Sequence, residues 1–338
     1  MKVLDAPIAP AITAKNTEKR RLLYPIAVIA VYIGWFTYMF VSNNWHLFKS
    51  YWPASVTMIL GSFVAGITAE GGGAVAFPVF TKVLHIPAPD ARTFSLMIQS
   101  FGMTMAGALI FSRRIKFLPR VVGWVSLGGI LGQLLGTYAI PLPGAYPKII
   151  FTFVTTAFGV ALIINRWVLG LEPNDDVPDW NGRKKLLFVG IGIFGGMFAA
   201  NFGSGIDVMT FMVLTLAFGV NEKISTPTTV IIMGINSVVG FILHGLVVPD
   251  INPEVWGYWL VSLPIVIIGA PLGAFVASKI TRDSLIYFLL FLISLELVTT
   301  IWIIHFTTMQ IIVSAITVAV FAAWFWILLH YRHKILNN

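Results

Sequence analysis

Polar residues fall into short clusters along this chain, and the stretches between them are apolar runs of about twenty residues with no polar alternation. Eight runs are long enough to cross a bilayer once as helices: 24–41, 90–111, 119–140, 146–168, 225–247, 255–278, 285–304 and 309–329. Two longer runs do not fit a single crossing. Residues 53–85 are interrupted by Gly71, Gly72 and Gly73, and residues 185–219 by Gly203, Ser204 and Gly205. Each would reach roughly 50 Å as one straight helix, against a hydrocarbon core of about 30 Å. Both must therefore bend back or cross twice. The predicted fold class is an all-α integral membrane protein of about eight full transmembrane helices plus two glycine-broken helical hairpins.

Composition supports this class. Of 338 residues, 57% are hydrophobic and 11% charged, with a mean hydropathy of +0.87. That leaves no polar coat for a water-exposed domain and excludes disorder. Runs without alternation exclude a β-barrel. The absence of cysteine removes disulfides, thiolate metal sites and cysteine nucleophiles, and neither a cofactor nor a metal site is expected. A basic stretch with Lys15, Lys19, Arg20 and Arg21 precedes the first apolar run, which is too long for a signal-peptide core and has no small-x-small cleavage site. It reads as a retained first span.

The net charge of +8 lies in short loops between spans, so it signals topology and no nucleic-acid partner is expected. If both broken segments return to the side they left, 18 of the 22 Lys and Arg fall on one side, leaving Lys49, Lys82, Arg92 and Lys148 on the other. Single crossings would give 13 and 9. The positive-inside bias therefore favours hairpins, with both termini cytoplasmic.

A shift of 132 residues lays Gly71 on Gly203, Gly73 on Gly205, Leu84 on Leu216 and Gly102 on Gly234. A shift of 137 lays Gly132 and Gly136 on Gly269 and Gly273. Small residues at four-residue spacing are also ordinary helix-packing devices. The predicted organisation is a cytoplasmic tail (1–22), a first helix (23–45), repeat one (52–168; hairpin 53–85 plus three helices), a cytoplasmic linker (169–184), repeat two (185–304; hairpin 185–219 plus three helices) and a last helix (308–331). One hairpin and three crossings per repeat make the copies inverted, an architecture of secondary transporters that hold substrate where the helix breaks meet.

A helix starting at a glycine break presents unpaired backbone N–H groups and a positive dipole end, which suits an anion. The candidate substrate-binding residues are Gly71, Gly72, Gly73, Gly203, Ser204 and Gly205, with Asn201 beside the second break. Hydroxyl and amide donors on the helices after each hairpin join them: Thr93, Ser95 and Gln99 in one repeat, and Ser225, Thr228 and Asn236 in the other. The competing reading of any one of these hydroxyls is a bond to its own backbone. Glu70 and Asp207 flank the breaks. As ionised carboxylates they would repel an anion, so they are candidate ion-coupling residues for H+ or Na+; the bland reading of Asp207 is a helix cap. Arg92 is a candidate for the outer mouth or a partner of Asp90. Glu296, mid-span, reads as a structural hydrogen-bonding residue.

The stretch from Thr68 to Phe80, with three glycines followed by Pro78, resembles the Gly-Gly-Gly-x-x-x-x-Pro signature of the TauE/SafE family of sulfite and organosulfonate carriers, also called the four-toluene-sulfonate uptake permease family. The resemblance covers about residues 52–300. The second motif, Asn201 to Asp207, departs from it: Ser204 replaces the middle glycine, Thr210 stands where proline is usual, and Asp207 enters the half-helix. The resemblance implies transport of a small sulfur oxyanion or sulfonate such as sulfite, sulfoacetate or isethionate, coupled to an ion gradient, in a multi-pass protein of a bacterial inner membrane. The expected partners are that anion, the coupling ion and the lipid bilayer, and homo-oligomerisation is left open. Alternatives are an anion channel, or an intramembrane serine hydrolase using Ser204 and His244. The hydrolase lacks a Gly-x-Ser-x-Gly elbow, and the duplicated breaks give it no purpose.

Overall fold

A computed structural model describes residues 9–68, 79–139, 146–169, 173–304 and 306–336. All of its long elements are helices: α1 Ala9–Val41, α2 Leu47–Ile67, α3 Ala88–Ser112, α4 Pro119–Tyr138, α5 Tyr146–Ile163, α6 Gly182–Phe202, α7 Ile206–Met212, α8 Glu222–Ile242, α9 Pro253–Lys279, α10 Arg282–Ile303 and α11 Thr308–Leu336. Among the described residues, ten helices are long and apolar enough to span a membrane. Two more crossing-length helices are present than the eight uninterrupted runs predict. The leading limb of each broken segment is itself of crossing length, Asn44–Ile67 at 24 residues and Gly182–Phe202 at 21. The trailing limb of the second, Ile206–Ala217, is short. Helix α2 also starts earlier than residue 53: it runs through Pro53, which stands inside it in the second turn and removes one helical hydrogen bond.

The second broken segment doubles back on itself. The Asn174 N–H donates to the Gly219 carbonyl (2.7 Å), and the Asn221 N–H to the Asn174 carbonyl (2.9 Å). The chain thus returns beside the loop from which α6 departs. The first does likewise: Phe80, beyond its break, and Tyr51, near the start of α2, both pack against Tyr258. Every residue of Ile206–Ala217 is buried. Protein on all sides is the condition under which a broken backbone is tolerated at membrane depth.

The two halves exchange partners. Helix α4 of the first half packs along α6 of the second, and α9 of the second along α2 of the first, while α3 and α8 meet each other. Glycine makes both exchanges close. A Cβ added at Gly132 would overlap the Ile193 carbonyl oxygen, and one at Gly273 the Phe63 carbonyl oxygen. Gly132 and Gly273, two of the glycines that suggest a repeat, thus let helices touch backbone to backbone.

Helix α1 is held by donors that answer the prolines of α9. Pro264 and Pro271 lack N–H groups, which leaves the Leu260 and Ile267 carbonyls without helical partners. Trp35 Nε1 donates to Leu260 (2.8 Å) and the Tyr24 hydroxyl to Ile267 (3.5 Å), while the Tyr32 hydroxyl reaches the Pro264 carbonyl (2.7 Å).

Candidate functional site

The break between α6 and α7 is built by two glycines in backbone conformations that side chains resist, Gly203 at φ 76° and Gly205 at φ 141°. Gly203 closes α6 in the left-handed cap, and Gly205 opens α7. Helix α3 lies so close that a Cβ at Gly203 would meet Ser95 and the Arg92 carbonyl. Two of its polar side chains are spent on the break: Gln99 Nε2 and the Ser95 hydroxyl both donate to the Gly203 carbonyl (2.7 and 3.0 Å), and Gln99 Nε2 also donates to Ser95 Oγ (2.7 Å). Gln99 Oε1 is buried without a partner among the described residues.

Two backbone donors at the start of α7 are already engaged. Asp207, 1% exposed, accepts at Oδ1 from the Gly205 N–H (2.9 Å) and the Val208 N–H (3.0 Å), and the Ser204 hydroxyl donates to the same oxygen (3.3 Å). The chain's own carboxylate therefore sits where the dipole and free N–H groups favour an anion. Thr210, standing where the related motif has proline, donates its hydroxyl to the Ile206 carbonyl (2.6 Å) and keeps the N–H that a proline would remove.

Asn236 approaches this break from α8. Its Oδ1 and the side chain of Ile206 both crowd the space beside Gly129. Asn236 Nδ2 donates to Gln133 Oε1 (3.3 Å), which leaves Asn236 Oδ1 and Gln133 Nε2 buried without partners among the described residues. Gln133, fully buried in α4, was not singled out in sequence; a lone amide inside an apolar span was its available signal.

Of the other candidates, Asn201 stands in the last turn of α6 beside the break, and the rest lie elsewhere. The Thr93 hydroxyl bonds the Pro89 carbonyl of its own helix. Ser225 faces the Val220 carbonyl, and Thr228 accepts the Leu118 N–H (3.0 Å), so both serve the helix starts near the loops. Asn201 Nδ2 donates to the Met197 carbonyl. Arg92 Nη2 lies 3.9 Å from Asp250, whereas Asp90 accepts from the Asn252 amide (2.6 Å). His244 Nδ1 also meets Asp250 (2.8 Å), so the structure pairs Ser204 with Asp207 and His244 with Asp250. Glu296 accepts from Thr152 (2.9 Å) and Thr300 (3.1 Å), which links α10 to α5. Glu70, Gly71, Gly72 and Gly73 lie outside the described residues.

With the geometry in place, comparison with known proteins adds one finding. Residues 54–302 match the protein family described as sulfite exporter TauE/SafE, so the match spans both broken segments and all helices from α3 to α9. No curated protein and no solved structure matches the chain.

Proposed function

The chain belongs to the sulfite exporter TauE/SafE family, and from that premise we propose a secondary active carrier for a small sulfur oxyanion or organosulfonate, such as sulfite, sulfoacetate or isethionate. Membership itself makes the protein a multi-pass cell-membrane transporter of an anion and not an enzyme. In the proposed mechanism the anion binds at the break between α6 and α7, with the first break, at Gly71–Gly73 outside the described residues, as its proposed counterpart. The two halves then rock as inverted repeats to open the site to either side. The reciprocal packing of α4 on α6 and α9 on α2 supports that reading.

One observation carries the proposal. The break binds an oxyanion already, since the Asp207 carboxylate occupies two backbone N–H donors and a hydroxyl in a buried setting. A substrate oxyanion can take these donors only if the carboxylate is neutralised or turned away. Protonation, or a cation such as Na+ taken up by Asp207, would do so, and that links substrate binding to the coupling ion. Glu70, at the first break, is the corresponding candidate.

The test is uptake of sulfite, sulfoacetate, isethionate and taurine into proteoliposomes under imposed pH or sodium gradients. At least one anion should accumulate, and Asp207→Asn or Glu70→Gln should abolish accumulation. Flux that ignores both gradients would identify a channel. Transport of a cation in place of every anion would overturn the helix-terminus argument.

A further inference from the structure

A buried pair of amides joins the two halves and leaves part of its hydrogen-bonding capacity unused. Gln133 of α4, in the first half, and Asn236 of α8, in the second, are 0% and 1% exposed. Asn236 Nδ2 donates to Gln133 Oε1 (3.3 Å), and Asn236 Oδ1 and Gln133 Nε2 have no partner among the described residues. The outcome is the same whichever amide donates. Each carries one carbonyl oxygen and one NH2, so a single bond between them always leaves one acceptor and one donor group open. Polar side chains do tie membrane helices together, but a tie needs only the bond that is made, and each open group is buried at a cost in stability. Hydroxyls of the second broken segment avoid that cost, since Thr210 and Thr215 donate to carbonyls one turn back in their own helix. An open acceptor and an open donor in one buried pair therefore point to a group supplied from outside the chain.

The surroundings place the pair at the wall of the break. Gly240 of α8 faces Gln133 Nε2, where a Cβ would lie 2.6 Å from it, and Gly129 of α4 faces Asn236 Oδ1, where a Cβ would lie 2.9 Å from it. A glycine on the opposite helix thus keeps side-chain bulk off each open group. Ile206, between Gly205 and Asp207, reaches the same space, with its Cδ1 2.5 Å from where a Gly129 Cβ would stand. The amide pair and the segment that holds the Asp207 carboxylate meet at Ile206. With the pair's own bond kept, a hydroxyl satisfies both open groups, since it donates to Asn236 Oδ1 and accepts from Gln133 Nε2. A bare oxyanion offers acceptors only and an ammonium donors only, so each would leave one amide group opposed.

We propose that Gln133 and Asn236 form a neutral subsite for a hydroxyl on the substrate, which makes a hydroxy-sulfonate such as isethionate the preferred class over an unsubstituted alkanesulfonate or an aminosulfonate. The inference rests on the carrier reading above, with the sulfonate group at the break between α6 and α7 and the hydroxyl end toward the amides. Ile206 must withdraw from Gly129 for the hydroxyl to enter, so the subsite forms as α7 moves relative to α4.

The full chain in detergent would be titrated calorimetrically with isethionate, ethanesulfonate, taurine and sulfite. Isethionate and ethanesulfonate differ only by the hydroxyl, so the ratio of their Kd values reads the subsite directly. Isethionate should bind roughly tenfold or more tightly than ethanesulfonate, and more tightly than taurine. Gln133→Met, which keeps the bulk of the side chain and removes the amide, should bring the ratio to about one, and so should Asn236→Leu. If one variant fails to fold, the other and the wild-type ratio still decide. Equal wild-type affinities for isethionate and ethanesulfonate, a preference for isethionate that survives in either folded variant, or binding of sulfite alone would each overturn the subsite and leave the carrier reading standing. Binding of none of these anions would overturn the carrier reading itself, and the subsite with it.

Discussion

Replacing Asp207 separates its cap from its proposed coupling role. The carboxylate accepts two buried N–H donors at 2.9 and 3.0 Å and a hydroxyl at 3.3 Å. Asp207→Ala leaves the Gly205 and Val208 donors unpaired in a site closed to water. Each hydrogen bond to a charged group contributes about 1.5–3 kcal/mol, and removing the carboxylate returns part of this by ending its own desolvation. A net loss of about 3 kcal/mol is therefore expected. Asp207→Asn keeps an oxygen at the Oδ1 position, so both N–H bonds survive and the loss should stay near about 1 kcal/mol. Thermal-denaturation midpoints in detergent would rank wild type, Asn and Ala in that order, with Asn much nearer to wild type. In proteoliposomes the Asn variant should bind sulfite yet fail to accumulate it against a gradient. Equal destabilisation by Asn and Ala would refute the cap geometry. Full coupling in the well-folded Asn variant would refute the link between this carboxylate and the ion.

Four further substitutions test the framework around the site. Gly132→Val should push α4 off α6 and lower stability by about 1–3 kcal/mol, and Gly273→Val should act alike on α9 and α2, both read as thermal midpoints in detergent. Unequal effects, with one tolerated, would count against reciprocal packing. Trp35→Phe keeps the ring but strips the donor from the Leu260 carbonyl freed by Pro264; a loss of about 1–3 kcal/mol is expected, and none in a Pro264→Ala background, where the helix supplies the donor. Glu222→Gln breaks a buried bidentate pair with Arg282; the loss should be about 2–3 kcal/mol, below the range for a fully buried pair because Arg282 remains 15% exposed.

How much of this was legible in the chain differs from element to element. The spans were readable because the bilayer demands about twenty apolar residues wherever a helix crosses it, a local rule. The second break was equally readable, since a φ such as the 141° of Gly205 is open to glycine and closed to other residues. The true start of α2 was hidden by Pro53, which reads as a boundary but is admitted inside the helix.

The sequence by itself determined the membrane class and the position of the second break, because length, hydropathy and glycine spacing act over neighbouring residues, and its glycine motif carried the family resemblance. It also held both readings of Asp207, coupling residue and cap, side by side. Only the tertiary structure placed the carboxylate on the donors of Gly205 and Val208, sent Ser95 and Gln99 to a carbonyl more than a hundred positions away, and set Gln133 opposite Asn236. The physical reason is that a polar side chain in an apolar surround takes whatever partner the packing of distant helices brings within about 3 Å, and no periodicity along the chain encodes that choice.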